Sequence, residues 1–312
     1  MNPHAQPFRT DALPTPIRPE WLPESVWPFP LHELEVDGRR VVYTDTGGDG
    51  PIALLIHVGL WSLLWRGLID ELSPQFRCIT FDVPGSGLSD AAPASLAAAT
   101  HAIGRVIDQL DLRDVTLVVH DTGGWATMAA LAAAPRRAEC VSRLVAVNTF
   151  GWRPRGVLRL ALRFMGSAIM RELTVWTGFL AWASATRFGV GRHFDRATKR
   201  AWRRGLRPHS RRRFLHHMFA DAAKDRRTSQ AAQQGIVALS DRPTMTVLGR
   251  FGDYFFFRRG WRRIRPTMTD LTVPWGLHFP QSDNPALVAR AITDWAAGPS
   301  SEYRPRATDP ST

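Results

Sequence analysis

The chain is short of several residue types. It has 2 cysteines among 312 residues, Cys78 and Cys140, too few for a disulfide framework, so a reducing, cytoplasmic setting is expected. Lysine is almost absent: of 40 basic residues, only Lys199 and Lys224 are not arginine. Tyrosine occurs three times, as Tyr43, Tyr254 and Tyr303. No basic-then-apolar leader opens the chain, and no window approaches the ~20 apolar residues of a membrane span. The net charge of +12 comes without a helix-turn-helix or zinc-finger pattern, so no nucleic-acid partner is expected. His216-His217 has no cysteine or carboxylate at ligand spacing, so no metal is expected either. What remains is 44% apolar and 22% charged, the balance of an ordinary globular protein with a sizeable core.

Strands and helices alternate along most of the chain. Residues 1–30 are proline-rich and read as an irregular lead-in lying on the domain surface. Residues 31–36 and 40–46 form a β-hairpin through Asp37-Gly38. Residues 52–56, 76–81, 115–120 and 144–148 are continuous apolar strands of the kind buried on both faces of a parallel sheet. Helical patterns fill 61–72, 95–110 and the alanine-rich stretch ending before Pro135. From 151 to 240 no buried strand is legible, only helical stretches loaded with Arg, Trp and Phe. Strands resume at 244–248 and 271–273, a helix covers 285–295, and 298–312 has the composition of a disordered tail. The expectation is an α/β protein with a mostly parallel, doubly wound sheet and an N-terminal hairpin. Residues 31–150 and 241–297 make its core, and 151–240 a helical insertion.

The most informative stretch is Leu117-Val118-Val119-His120-Asp121-Thr122-Gly123-Gly124-Trp125. An apolar strand stops at Asp121 and a small-residue helix starts at once. There the carboxylate serves either as an N-cap or as a nucleophile at a helix N-terminus. Two more polar residues, Asp253 and His278, follow later strands, and sites in open α/β sheets form at that edge. The order is nucleophile, acid, histidine. A carboxylate needs no base to become nucleophilic. Attack on an acyl carbon would give a labile anhydride, whereas attack on a saturated carbon gives an alkyl ester.

These residues, with Trp65-Arg66, Asp82-Val83-Pro84-Gly85-Ser86-Gly87-Leu88-Ser89-Asp90 and His278-Phe279-Pro280-Gln281-Ser282-Asp283-Asn284-Pro285, resemble the haloalkane dehalogenase and epoxide hydrolase branch of the α/β-hydrolase superfamily. The resemblance covers residues 31 to 297. It implies the α/β-hydrolase fold with a helical cap at 151–240, a small apolar substrate, no cofactor, and two-step hydrolysis through a covalent ester on Asp121. His278 would activate water, Asp253 would orient His278, and the backbone N–H groups of Gly59 and Thr122 would hold the oxyanion. Two departures bear on the substrate. Thr122 stands where dehalogenases of this type carry a halide-binding Trp, and Gly59 replaces a residue with a donor side chain. Trp61, Trp125 and Trp152 are the candidates for a substitute halide pocket, with the cap residues Trp176 and Trp182 behind them; core packing competes with that role for each. The insertion has no tyrosine, which weakens the epoxide reading. An ester-type hydrolase and a catalytically silent binding protein of the same fold complete the competing readings. His57 and His120 are expected to be structural hydrogen-bonding groups. Residues 196–207 and Arg211-Arg212-Arg213 read first as a solvated surface, with membrane-surface contact as the lesser reading. The oligomeric state is not legible.

Overall fold

A computed structural model describes residues 17–252 and 254–298. Its strands are β1 (Leu31–Val36), β2 (Arg39–Asp45), β3 (Ile52–Ile56), β4 (Arg77–Phe81), β5 (Val115–Asp121), β6 (Val141–Thr149), β7 (Thr244–Gly249) and β8 (Thr269–Val273). They form one sheet in the order β1-β2-β4-β3-β5-β6-β7-β8. The first two strands pair antiparallel, β2 runs antiparallel to β4, and the rest are parallel. Asp37 and Gly38 turn the hairpin at φ of 51° and 73°, the positive values a tight two-residue turn demands.

The first helices are α1 (Arg66–Leu72), α2 (Leu96–Leu110), α3 (Thr122–Ala132) and α4 (Pro135–Glu139). Ser95 caps α2 by accepting from Ala98 N–H at 3.3 Å. Between β6 and β7 lie α5 (Gly156–Met165), α6 (Ala168–Glu172), a π turn at Leu173–Thr177, α7 (Phe179–Ser184), α8 (Arg196–Gly205), α9 (His209–Lys224) and α10 (Arg226–Ala238). The chain then forms α11 (Tyr254–Ile264), α12 (Pro280–Asp283) and α13 (Pro285–Ala297). Among the described residues no helix is long and apolar enough to cross a membrane.

Two hydrophobic clusters divide the core. Leu54, Ile56, Leu117 and Val119 belong to one, while Ala53, Leu55 and Val118 belong to the other. That alternation is the period of two in a strand covered on both faces. The helix α10 packs on α3 so closely that a Cβ on Gly235 would meet Met128 O at 1.8 Å.

Two expectations need correction. Residues 17–30 are not a surface lead-in: Leu22, Val26 and Trp27 are buried. Trp27 Nε1 donates to Thr44 Oγ1 at 3.0 Å, and Arg18 donates to the carbonyls of Trp27 and Phe29. The prolines mark the turns, but the apolar residues between them decide what is covered. Likewise Arg211 is not simply solvated, since its guanidinium donates to the carbonyls of Ser89 and Asp90 and ties α9 to the loop after β4. Residues 1–16 and most of the tail, 299–312, lie outside the described residues.

Candidate active site

The strand β5 delivers Asp121 to the C-terminal edge of the sheet, where it adopts φ 50° and ψ −135°. A non-glycine residue at positive φ is strained and persists only where its surroundings hold it. Here Thr149 Oγ1 donates to Asp121 O at 2.6 Å, and α3 begins at the next residue. Gly123 and Gly124 make the sharp turn feasible. A Cβ on Gly123 would lie 2.7 Å from His57 Cα, and one on Gly124 would lie 2.1 Å from Thr149 Oγ1. The Asp121 carboxylate makes no capping bond to its helix, so the N-cap reading does not apply. Instead its Oδ2 lies 3.9 Å from His278 Nε2.

The loop bearing His278 is clamped through its backbone. Asn148 Nδ2 donates to Leu277 O at 2.8 Å and His278 O at 3.0 Å, while Asn148 Oδ1 accepts from Gly249 N–H at 3.2 Å. His120 Nε2 meets His278 O at 2.9 Å, which assigns the proton to that nitrogen. Asp283 Oδ2 accepts from Leu277 N–H at 2.6 Å, and Arg192 Nε lies 3.0 Å from Asp283 Oδ1. Burial pushes the Asp283 carboxyl above its usual range, against the pull of that N–H and of Arg192. Sequence reasoning missed Asn148 as a clamp. Its only signal was its place at the end of an apolar strand.

His57 and His120 stack at 5.1 Å between ring centroids. Burial, reinforced by the charge of a protonated His278, lowers the His57 pKa to about 3 and moves His120 well below the usual histidine value. Both rings are therefore neutral at ordinary pH. The expected structural role suits His120. His57 differs: it is 6% exposed, and neither of its ring nitrogens has a hydrogen-bond partner among the described residues.

A cavity of about 550 Å³ joins His57, Asp121, Thr122 and His278. The rest of its wall is mainly apolar, with Val58 and Leu60 after β3, Leu215, Met218 and Phe219 on α9, Leu180 and Trp182 on α7, and Phe188 and Phe279. Gly59 turns into this region at φ 95°, where a Cβ would press on Leu215 and Met218 at 3.3 Å. Thr122 is 1% exposed, and its Oγ1 approaches Val58 O at 3.4 Å.

The three tryptophans expected to form a halide pocket stand elsewhere. Trp61 is buried against Trp21 and Trp202, and Trp125 is buried against Phe150. Trp152 packs on Trp261 and lines a separate cleft. Large aromatic surface on the sheet-covering helices is driven into the core, whatever lies in nearby sequence. Of the cap tryptophans, Trp182 does line the cavity, while Trp176 packs tilted against His209. Asp253 lies outside the described residues. The loop 82–90 is structural: the buried Asp82 carboxylate accepts from Ser62 N–H, Ser62 Oγ–H and Leu88 N–H, each at 2.8 Å. Among the described residues no group of His, Cys, Asp and Glu is arranged to hold a metal.

Comparison with known proteins agrees with this geometry. Residues 52–310 match the family model for the alpha/beta hydrolase fold. A cis-3-alkyl-4-alkyloxetan-2-one decarboxylase of Shewanella oneidensis is 32% identical over 178 residues, covering 54% of this chain and 55% of the relative, about half its length. Haloalkane dehalogenase 2 of Mycobacterium tuberculosis is 26% identical over 279 residues, covering 86% of this chain and 96% of the relative. A crystal structure of a haloalkane dehalogenase from Bradyrhizobium elkani superposes with a TM-score of 0.70 at 19% identity, covering 86% of this chain and 98% of that one. The elbow at Asp121, the following glycine helix and the eight-stranded sheet thus agree with the family match, and the chain belongs to the α/β-hydrolase fold family.

Proposed function

We propose that the protein hydrolyses a small apolar alkyl electrophile through an alkyl ester on Asp121, in the manner of a haloalkane dehalogenase. One observation carries the reading. The nucleophile position holds a carboxylate on a strained elbow, facing His278 across 3.9 Å at the floor of an apolar cavity. In the first step an Asp121 oxygen forms a bond to a saturated carbon as the carbon–halogen bond breaks. In the second, His278 takes a proton from water, which attacks the Asp121 carboxyl carbon. The resulting oxyanion is received by the backbone N–H groups of Gly59 and Thr122. Collapse then releases the alcohol and restores the carboxylate. Asp253 would orient His278 and stabilise its charged form.

The departing halide needs a donor, and Thr122 cannot supply the indole N–H found at that position in dehalogenases of this type. Neutral His57 is the cavity residue that suits the task, being buried with both ring nitrogens unengaged among the described residues. The Asp121→Ala variant is expected to lose turnover of bromoalkanes while keeping its circular dichroism spectrum. Retained turnover would remove Asp121 from the chemistry.

Thr122 also favours a second reading, decarboxylation of an oxetan-2-one, the substrate class in the name of the Shewanella relative. Asp121 would attack the saturated ring carbon and break its bond to the ring oxygen, leaving a carboxylate on the same molecule. No free halide then forms. Loss of carbon dioxide, with expulsion of the Asp121 carboxylate, gives an alkene.

A further inference from the structure

The segment 151–190 holds six arginines and one acid, Glu172, and Glu172 is engaged by its neighbour Arg171 at 2.9 Å. Nine of the fourteen exposed large hydrophobic side chains among the described residues fall within it. Their arrangement is clearest on α5. Val157, Leu160 and Phe164, spaced three and four apart, share one helical face and are 68%, 68% and 61% exposed. Leu162, across the helix, is buried. Arg155, Arg159 and Arg163 follow each other at intervals of four, forming an exposed row beside the apolar stripe. An exposed apolar stripe flanked by arginines is the pattern of a helix lying in a membrane interface.

The same surface reaches the cavity. Phe179, Trp182 and Phe188 line the space around Asp121 and are also 43%, 57% and 67% exposed. A second cleft, of about 640 Å³, opens beside α5 and is lined by Arg153, Arg155, Arg259 and Arg263 together with Trp152 and Phe256. Among the described residues, none of these four guanidiniums pairs with a carboxylate. Apolar side chains that water covers poorly, next to cations without carboxylate partners among the described residues, are complementary to an anionic lipid surface.

We propose that this face docks on an anionic phospholipid bilayer, with the α5 stripe and the aromatic residues at the cavity mouth entering the interface and the arginines meeting phosphates. The docking stands independently of the chemistry at Asp121. Its consequence, that the site draws an alkyl electrophile from the lipid phase, rests on the proposed function.

Co-sedimentation of the full chain with phosphatidylglycerol-containing vesicles and with pure phosphatidylcholine vesicles tests the docking. Binding to the anionic vesicles is expected, weakening as salt is raised. The double variant Arg159→Gln/Arg163→Gln should bind roughly thirtyfold more weakly, from about fivefold per surface arginine. Leu160→Ser/Phe164→Ser should also weaken binding. All four positions lie outside the cavity wall, so both variants should hydrolyse a water-soluble substrate at the parent rate. Absence of pelleting on anionic vesicles, equal pelleting on both vesicle types, or binding unchanged in both variants would overturn the proposal. So would a dimer in size-exclusion chromatography that the Leu160→Ser/Phe164→Ser change dissolves, because the stripe would then cover a second copy. Vesicle binding without turnover would leave docking in place and remove only the lipid-delivery consequence.

Discussion

The strained backbone at Asp121 exists because its neighbours leave it no alternative. Thr149 holds its carbonyl, and the glycines after it let α3 approach to within contact of the His57 backbone. Gly123→Ala places a methyl 2.7 Å from His57 Cα, which no rotamer relieves. It should cost about 3 kcal/mol of stability, measured by denaturant unfolding, and impair turnover in whatever protein remains folded. His57→Phe tests two roles at once. Loss of a donor to the leaving group should lower kcat/KM roughly a hundredfold, whereas an unchanged rate would free His57 of that role. The folded chain refuses a proton at His57 until about pH 3, while an unperturbed histidine accepts one near 6.5. Its neutral form therefore contributes stability that is complete above pH 6.5 and is lost as the pH falls towards 3. Urea titrations across that window should show a shallower decline in the variant. That Asp121 and His278 come close together was legible because Asp121 ends β5 and His278 follows β8 in the next loop, on the same edge of the sheet. The tryptophan roles were not, because aromatic composition does not say which ring a folded helix turns inward.

At the scale of elements, the site depends on how helices are fastened around the parallel strands. The helices α2 and α4 are tied by Asp108 and Arg137, whose guanidinium donates from Nε at 2.9 Å and from Nη2 at 2.7 Å. Hydrogen bonding to Arg137, with help from Arg136, holds the Asp108 carboxyl at about 2, below its ordinary 3.8. Its contribution is complete above pH 3.8 and is lost as the pH falls through 2. The Asp108→Asn variant should be less stable than the parent at neutral pH, and the two should converge towards pH 2. Equal stability at neutral pH would show that the pair contributes nothing. The helix α10 lies within the expected insertion in sequence, and Gly235 seats it on α3. Gly235→Ala would push a methyl into Met128 O and should destabilise the protein by about 3 kcal/mol or more in the same unfolding assay. The central strands β3, β4, β5 and β7 were readable because they are buried on both faces and so are mostly apolar. The partners of the helices were not, because an amphipathic stripe announces that something covers it without saying what.

On the scale of the whole molecule, the chain is a sheet with the candidate site at the C-terminal ends of its strands, where helices from residues 151–240 line part of the cavity. The net charge of +12 is spread widely, but the proposed docking draws on one face, where guanidiniums that pair with no carboxylate among the described residues border exposed apolar side chains. The order of strands and the site at their C-terminal edge follow from alternating strand and helix patterns. The cavity's size and wall do not, because Leu180, Trp182, Leu215 and Met218 come from helices whose packing over the sheet no spacing fixes. The central claim is that Asp121 forms a covalent alkyl ester. Its most direct test is the mass of the intact protein carrying His278→Phe after incubation with bromoalkanes. Attack proceeds without the histidine but water cannot be activated, so the protein should gain the mass of one bromoalkane less hydrogen bromide. The adduct should map to the peptide containing Asp121. No mass gain across a panel of bromoalkanes and epoxides, or an adduct on another residue, would contradict the account.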